Sequence, residues 1–459
     1  MQYYLLNLYL GRVAAAILGD ALCFAAAAAA TWFVLVPPVD PRVYVAGAGV
    51  GAFGAFASLY YTGAYGLTVL GSGRRTVKAV LAAMGLVFAA SLAGWFAFSP
   101  ASVVTTALAH TAGLYFPLLF GARFLFRRAS ALPRFSQRVL IIGNSDLGIA
   151  IAEAVRERPN LGNDLVGFLS DEPSSEAGEA AGYPILGRVA EIDQIVSRLG
   201  IGRIVVASKS RDEYFPAEEL LAAKLRGRRV EAGVSFYERV TGRIYLRDLR
   251  SSYLIFSDGF VSRRPLSVVV KRVLDSAVSG IALIAVTPVM ALAALAIRLD
   301  SKGPIFFAQE RVGQDGKTFM VLKFRSMRDR AEAETGPCFT QAQDNRITRV
   351  GRFIRKTRID ELPQLWNVFR GEMSLVGPRP ERREFMDELN VRYPYFGLRS
   401  NLKPGVTGWA QVRHGYVNEM AGFEEKLSFD LYYMKYRSVW MDLLILWKTA
   451  KTVVLLHGV

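Results

Sequence analysis

The first third of the chain is a succession of apolar runs. Val13–Val36, Val43–Leu67, Ala79–Phe98 and Ser102–Ala122 are each long enough for a helix to cross a hydrocarbon layer. They predict a four-helix transmembrane bundle over residues 1–128. Short apolar stretches then alternate with segments of helical period. Arg138–Gly143 reads as a buried strand and Leu147–Arg156 as the helix after it. Further strands are predicted at Leu165–Leu169, Arg203–Ala207 and Val230–Val234. That alternation predicts a parallel, doubly wound, Rossmann-like domain over about 136–260. A last long apolar run, Ala277–Ile297, contains Pro288, which removes a backbone donor and kinks a helix. The remainder, 266–459, mixes short strands and helices in an α+β pattern. The fold class is therefore an α/β membrane protein.

Charge orients these segments. Arg74, Arg75 and Lys78 lie between the second and third runs, and Arg123, Arg127, Arg128, Arg134 and Arg138 follow the fourth. Basic loops stay cytoplasmic, so both ends of the four-span region of this multi-pass chain are expected to face the cytoplasm. The first run is no cleaved signal peptide, since more spans follow and no clear cleavage site appears. Asp20 inside it is a functional hypothesis by default and receives no chemistry here. Lys271 and Arg272 precede the proline-interrupted run, and Arg298 and Lys302 follow it. Basic residues at both ends predict a re-entrant helix, about 271–300, that dips into one leaflet and returns. An ordinary Pro-kinked span is the alternative.

The net charge of +16 and hydrophobic fraction of 52% add one point. No nucleic-acid motif accompanies the basic residues, and anionic lipids and phosphorylated substrates suit them better. Cys23 and Cys338 indicate neither a disulfide framework nor a zinc site. The three histidines have no ligand spacing.

Candidate chemistry concentrates in Lys356-Thr-Arg-Ile-Asp360-Glu361-Leu-Pro-Gln-Leu-Trp-Asn-Val368, followed by Arg370 to the Pro378-Arg379-Pro380 turn. Leu362, Leu365, Trp366 and Phe369 form one helical stripe. Asp360 stands where an N-cap belongs, with Pro363 in the first turn. A helix N-terminus favours anions, whether carboxylates or phosphate. An ionised carboxylate there can act as a nucleophile, and its neighbour can bind metal or handle a proton. Asp360 as a plain cap and Glu361 as a dipole partner is the bland alternative.

This segment closely resembles the signature of the bacterial polyprenyl-phosphate sugar-1-phosphate transferases, a family of membrane phosphoglycosyl transferases. Further blocks extend the resemblance over about 266–456. They are Gly303–Gly313 leading to Gly316, Lys323-Phe-Arg325-Ser-Met327, Asp344 to Lys356, Lys403–Val412 and Lys426–Tyr433. The four-span and Rossmann-like organisation resembles the larger members. The resemblance implies that Asp360 attacks the sugar phosphate of a UDP-sugar and that Glu361 binds Mg²⁺, with Asp360 as a second candidate ligand. It implies phosphate or substrate contacts for Lys323, Arg325, Arg355 and Arg379. It also implies a re-entrant anchor kinked at Pro288, undecaprenyl phosphate as acceptor, and membrane lipids as surroundings. It leaves a homodimer open. Nucleic acid is not an expected partner. Arg352 and Arg358 read as surface charges. Phe429 stands where a tyrosine is usual, Asp430 reads as site support or as a buried acceptor, and Trp440–Leu456 as an interfacial or a core-packing helix.

Two other readings remain. A membrane-anchored nucleotide-sugar epimerase or dehydratase would use the Rossmann-like domain. However, its turn Gly143-Asn-Ser145-Asp-Leu-Gly148 lacks the middle glycine, Asp171 lies beyond the usual ribose-acid spacing, and Tyr432 has Tyr436 where a lysine is required. A non-enzymatic membrane scaffold would not need the intact dyad. The sugar transferred and the pathway served are not encoded in these motifs.

Overall fold

The computed structural model describes residues 3–35, 41–62, 64, 77–85, 103–130, 137–158, 161–170, 178–207, 216–247, 249–260, 265–328, 344, 346–413 and 422–454. Most of the Ala79–Phe98 run, Arg74, Arg75, Arg134, Asp171 and Cys338 lie outside the described residues. The chain divides into two compact units, Met1–Thr241 and Gly242–Val459.

In the first unit the apolar runs form helices α1 (Tyr3–Leu35), α2 (Pro41–Tyr61) and α3 (Val103–Ser130). Small and large apolar residues interdigitate where they meet: Ala27, Ala55, Leu59, Tyr115 and Leu119 are buried in one cluster. The Asp20 carboxylate meets the Arg123 guanidinium of α3 at 2.5 Å, with both side chains under 5% exposed. Arg123 also donates to the Ala64 carbonyl, and Thr111 to Thr31. An ion in an apolar helix is tolerated when paired and hydrogen-bonded. Asp20 thus joins α1 to α3.

The α/β portion carries β1 (Gln137–Ile142), α4 (Asp146–Glu157), β2 (Asn163–Leu169), α5 (Ile192–Arg198), β3 (Arg203–Val206), α6 (Ala217–Leu225), β4 (Arg229–Ala232) and α7 (Gly233–Thr241). The sheet order is β2-β1-β3-β4, parallel throughout. Each predicted strand appears within a few residues of its expected place. Ser145, which replaces the middle glycine of the turn, is the N-cap of α4. Its hydroxyl accepts from the Gly148 amide and donates to the Ala207 carbonyl. The side chain there ties the turn to β3.

Residues 242–260, grouped with the α/β unit on sequence, pack in the second unit. The Ile244 amide donates to the Ser428 carbonyl, and Ile244 is fully buried in that core. A short helix α8 (Ser251–Phe256) lies in this stretch. Then comes α9 (Pro265–Asp300), one continuous helical segment with Pro288 inside it. A 36-residue helix is about 54 Å long if straight. Its outer face exposes Val273, Val278, Ile281, Ile284, Leu292 and Leu295. Among its described side chains the buried ones are Asp275 and Ser279 near one end, and Ala293 and Ile297 near the other, with none between. The core of the second unit therefore grips both ends of α9 and leaves the Pro288 region uncovered. Ser267–Asp300 and Ala15–Phe33 are the two helices, among the described residues, that are long and apolar enough to cross a membrane by length and composition.

The rest of this unit contains the antiparallel hairpin β5 (Phe306–Val312) and β6 (Thr318–Phe324), α10 (Arg349–Lys356), α11 (Gln364–Arg370), β7 (Ser374–Val376), α12 (Arg383–Arg392), β8 (Gly405–Thr407), α13 (Trp409–Arg413), α14 (Gly422–Tyr436) and α15 (Val439–Val454). Strands β7 and β8 pair in parallel. The core gathers Val321, Val368, Val376, Leu389, Phe396, Phe423 and Ile445 around them. On helix α15 Ile445 is buried, while Trp440, Leu443 and Trp447 on its other side are exposed.

Candidate active site

Asp360 and Glu361 sit in a single 3-10 turn, Ile359–Glu361, between α10 and α11. Asp360 does not cap the following helix. Arg358 holds the turn's N-cap position in the left-handed region, at φ 61°, and Pro363 occupies the N-cap of α11. The φ of Pro363, −61°, is the angle its ring imposes, so the helix begins there and not at Asp360. Helix α11 spans only seven residues, and the positive potential at the dyad comes from side chains, not from a helix end.

Those side chains arrive from several elements. Lys323, near the end of β6, places Nζ 3.3 Å from Glu361 Oε1, and Arg379 Nη2 lies 2.8 Å from the same oxygen. Asp360 and Glu361 are each 9% exposed. No described residue hydrogen-bonds the Asp360 carboxylate. Arg355 and Arg358 act on it through their charge, after Lys323. Arg358 is near enough for its charge to act on both carboxyls, and its backbone is left-handed.

The two carboxyls titrate apart. Burial, and then the charge of Glu361, push Asp360 up to about 6. Burial works to raise Glu361 as well, but Arg379 and Lys323 overcome it and hold Glu361 well below the usual carboxylate range. Burial also pulls the Lys323 ammonium below its ordinary value, against the pull of Glu361. One acid is thus permanently charged and clamped, while its neighbour is poised near neutrality and uncommitted. Paired carboxyls pushed apart in this way divide acid, base or nucleophile roles between them.

Arg325 does not join this cluster. Strand β6 ends at Phe324, so the two-residue alternation that would align Arg325 with Lys323 stops one residue short. The guanidinium is buried and donates to the Ser301 and Lys302 carbonyls and to the Ser301 hydroxyl. It fastens the chain leaving α9 and makes no ion pair among the described residues.

Three supports were not legible as such. Asn367, buried on α11, accepts from the Leu322 amide and donates to the Met320 carbonyl and Glu372. It pins the strand edge that carries Lys323. Gly351 lets α10 lie on the Ser326 backbone, because an added Cβ would stand 1.9 Å from the Ser326 carbonyl oxygen. The Pro378-Arg379-Pro380 turn is held by a tight crossing, in which a Cβ at Gly405 would lie 2.1 Å from the Gly377 nitrogen. Asp430 is buried, and its Oδ2 lies 2.8 Å from Arg399 Nη2 as an ion pair. Phe429 is buried in the core.

Among the described residues no group of three or more His, Cys, Asp and Glu could hold a metal. Asp360 and Glu361 nevertheless supply the one or two hard oxygens with which Mg²⁺ is bound when substrate phosphates and water complete its shell. The donor set fits a metal that arrives with a diphosphate.

Comparison with known proteins bears on this geometry. A family model described as bacterial sugar transferase matches residues 266–456, and one described as a CoA-binding domain matches residues 61–214. A UDP-glucose:undecaprenyl-phosphate glucose-1-phosphate transferase of Klebsiella pneumoniae is 32% identical over 73% of this chain and 70% of its own length. A protein of the same description from Caulobacter vibrioides is 44% identical over 39% of this chain and 68% of its own. A UDP-N-acetylgalactosamine-undecaprenyl-phosphate N-acetylgalactosaminephosphotransferase of Aeromonas hydrophila is 42% identical over 47% of this chain. The match spans half the length of that Aeromonas protein.

Proposed function

This chain belongs to the bacterial sugar transferase family, and on that premise we propose that it transfers a sugar-1-phosphate from a UDP-sugar to undecaprenyl phosphate with release of UMP. The observation that carries the reading is the pairing of a clamped, charged Glu361 with an uncommitted Asp360 among Lys323, Arg379, Arg355 and Arg358. The cations suit a diphosphate, and arginine suits its oxygens in particular. In the proposed reaction an Asp360 oxygen attacks the phosphorus bearing the sugar. The bond from that phosphorus to the bridging oxygen breaks, and UMP leaves with the electron pair. The product is a phosphosugar ester on Asp360. A phosphate oxygen of undecaprenyl phosphate then attacks the same phosphorus and expels the Asp360 carboxylate. No net proton is consumed. Mg²⁺, held by Glu361 and Asp360 with the substrate, would neutralise diphosphate charge. Lys323 and Arg379 supply fixed positive charge where negative charge builds up.

The membrane reading rests on α9. Both its ends meet one folded core, and its uncovered middle carries Pro288 and exposed aliphatic side chains. A crossing helix would separate those ends, so a re-entrant helix dipping into the cytoplasmic leaflet of the inner membrane fits better. The dyad segment runs beside it, with Ile359 packing near Ala293 and Ile297, and Phe369 against Gly280. Trp366 and Phe369 stack at 5.8 Å and stay largely exposed. This apolar ridge on the helix that follows the dyad suits the start of an isoprenoid tail. Trp366→Ala is expected to raise KM several-fold for a long polyprenyl phosphate and hardly at all for a short-chain analogue. Equal effects on both acceptors would reject the ridge as a tail contact.

The reading as a whole is tested by UMP release from a panel of UDP-sugars. Purified protein should release UMP from one of them only with undecaprenyl phosphate and Mg²⁺, and EDTA should stop it. Correctly folded protein that releases UMP from none would overturn it.

A further inference from the structure

We propose that Arg399 is a positioning residue that fixes Arg379 on the dyad through a buried charge network, an inference that rests on the transferase reading. Arg399 is 4% exposed. Its Nη2 donates to the Arg379 carbonyl at 2.8 Å and lies 2.8 Å from Asp430 Oδ2, while Nη1 stands 3.7 Å from Glu381 Oε1. Lys426 closes on Glu381 as well, and Arg311 reaches both Glu381 and the Pro380 carbonyl. The Arg399 guanidinium also lies over the Phe396 ring at 4.8 Å.

The geometry has a direction. The Arg379 side chain points to Glu361, and the Arg379 backbone is bonded by Arg399. Neighbouring backbone groups are tied too: the Gly377 amide to Thr407, the Pro378 carbonyl to the Gly405 amide, and the Glu381 carbonyl to the Val312 amide. The turn from Gly377 to Glu381 is thus anchored along its length, and Arg399 holds the one residue whose side chain touches the dyad. Arg399 and Lys426 face two carboxylates, Glu381 and Asp430, inside the protein, and the half-buried Arg311 joins them from the edge. Burying so many charges is costly, and well-packed apolar residues often serve stability as well or better. The single Nη2 donates to the Arg379 carbonyl and faces the Asp430 carboxylate, a reach of the flat, rigid guanidinium that a lysine ammonium on its flexible stem does not reproduce.

The test is a double-mutant cycle of Arg399→Lys with Arg379→Ala in the full-length protein. Arg399→Lys keeps the charge of the network and loses the guanidinium that bonds the Arg379 carbonyl. It should lower kcat between about 10- and 100-fold, with KM for the UDP-sugar changed less. Adding Arg399→Lys to Arg379→Ala should then cost little more, because Arg399 acts through Arg379. Losses that multiply across the pair, or an Arg399→Lys enzyme with full kcat, would overturn the proposal. Should Arg399→Lys fail to fold, Asp430→Asn, which loosens the same guanidinium, takes its place in the cycle. Wild-type protein without UMP release would count against the transferase reading alone. The inference would then be judged by amide hydrogen exchange at Arg379 and Glu381, which must speed up in Arg399→Lys while exchange in β6 does not.

Discussion

Asp360→Asn is expected to abolish UMP release, with kcat lower by about 10⁴-fold or more, and at the same time to raise the thermal midpoint. The loss follows from chemistry, since an amide cannot form the phosphosugar ester. The gain follows from burial. The folded-state value of Asp360 is about 6, above the roughly 3.9 of an unfolded aspartate. Folding therefore takes up protons between those values, and the charged form costs stability at every pH above 6. As pH falls from 6 towards 4 that cost is relieved. The variant should thus melt higher at pH 7.5, by roughly 2–4 °C for each kcal/mol recovered, and its advantage should fade by pH 4. Turnover that survives in clean protein would remove Asp360 from the nucleophile's role. A lower midpoint at neutral pH would show that the carboxylate is not strained by its surroundings. The same protonation predicts that wild-type kcat falls on the acid side of about pH 6.

Glu361→Gln is expected to move stability the other way. Its folded-state value is depressed, so its charge contributes stability above the unfolded value of roughly 4.3, and that contribution is lost as pH falls. Removing the charge at pH 7 strips Lys323 and Arg379 of their shared acceptor. Breaking a fully buried pair costs about 3–5 kcal/mol, and here the cost should be smaller, because Lys323 and Arg379 are 24% and 22% exposed. Activity should drop about 10²–10³-fold, the usual effect of disturbing a preorganised charge. The diagnostic result is the pH profile of the remaining activity. The Glu361 charge is the second cause holding Asp360 up, so the acid limb should shift to lower pH. An unshifted limb would separate the two carboxyls, and an unchanged Mg²⁺ titration would remove Glu361 as a ligand.

Much of this site was legible in sequence where physics is local. Strands β1 and β3 are buried over most of their length and read as short apolar runs, so they could be placed without tertiary information. The adjacent acids stood out for the same reason. What misled was an assumption of continuity. Asp360 looked like a cap because a helical stripe begins after it, yet the left-handed Arg358 and the ring of Pro363 insert a separate turn. The resemblance implied a substrate contact for Arg325 beside Lys323, yet β6 ends at Phe324 and the Arg325 guanidinium turns to the Ser301 and Lys302 carbonyls. The network of Arg311, Glu381, Arg399, Lys426 and Asp430 was illegible for another reason. Apart from Lys426 and Asp430, its members are far apart in sequence. Asp430 read as site support or as a buried acceptor, but nothing in its sequence neighbours pointed to Arg399.

The pairing of Asp20 with Arg123 has a consequence in time. The two residues are 103 positions apart. At about 5–20 residues per second, a ribosome makes the carboxylate roughly 5–20 seconds before the guanidinium that neutralises it. Throughout that interval α1 is an apolar helix carrying an acid whose partner does not yet exist. Its final seating must await the synthesis of α3, so the first helix made is among the last to settle.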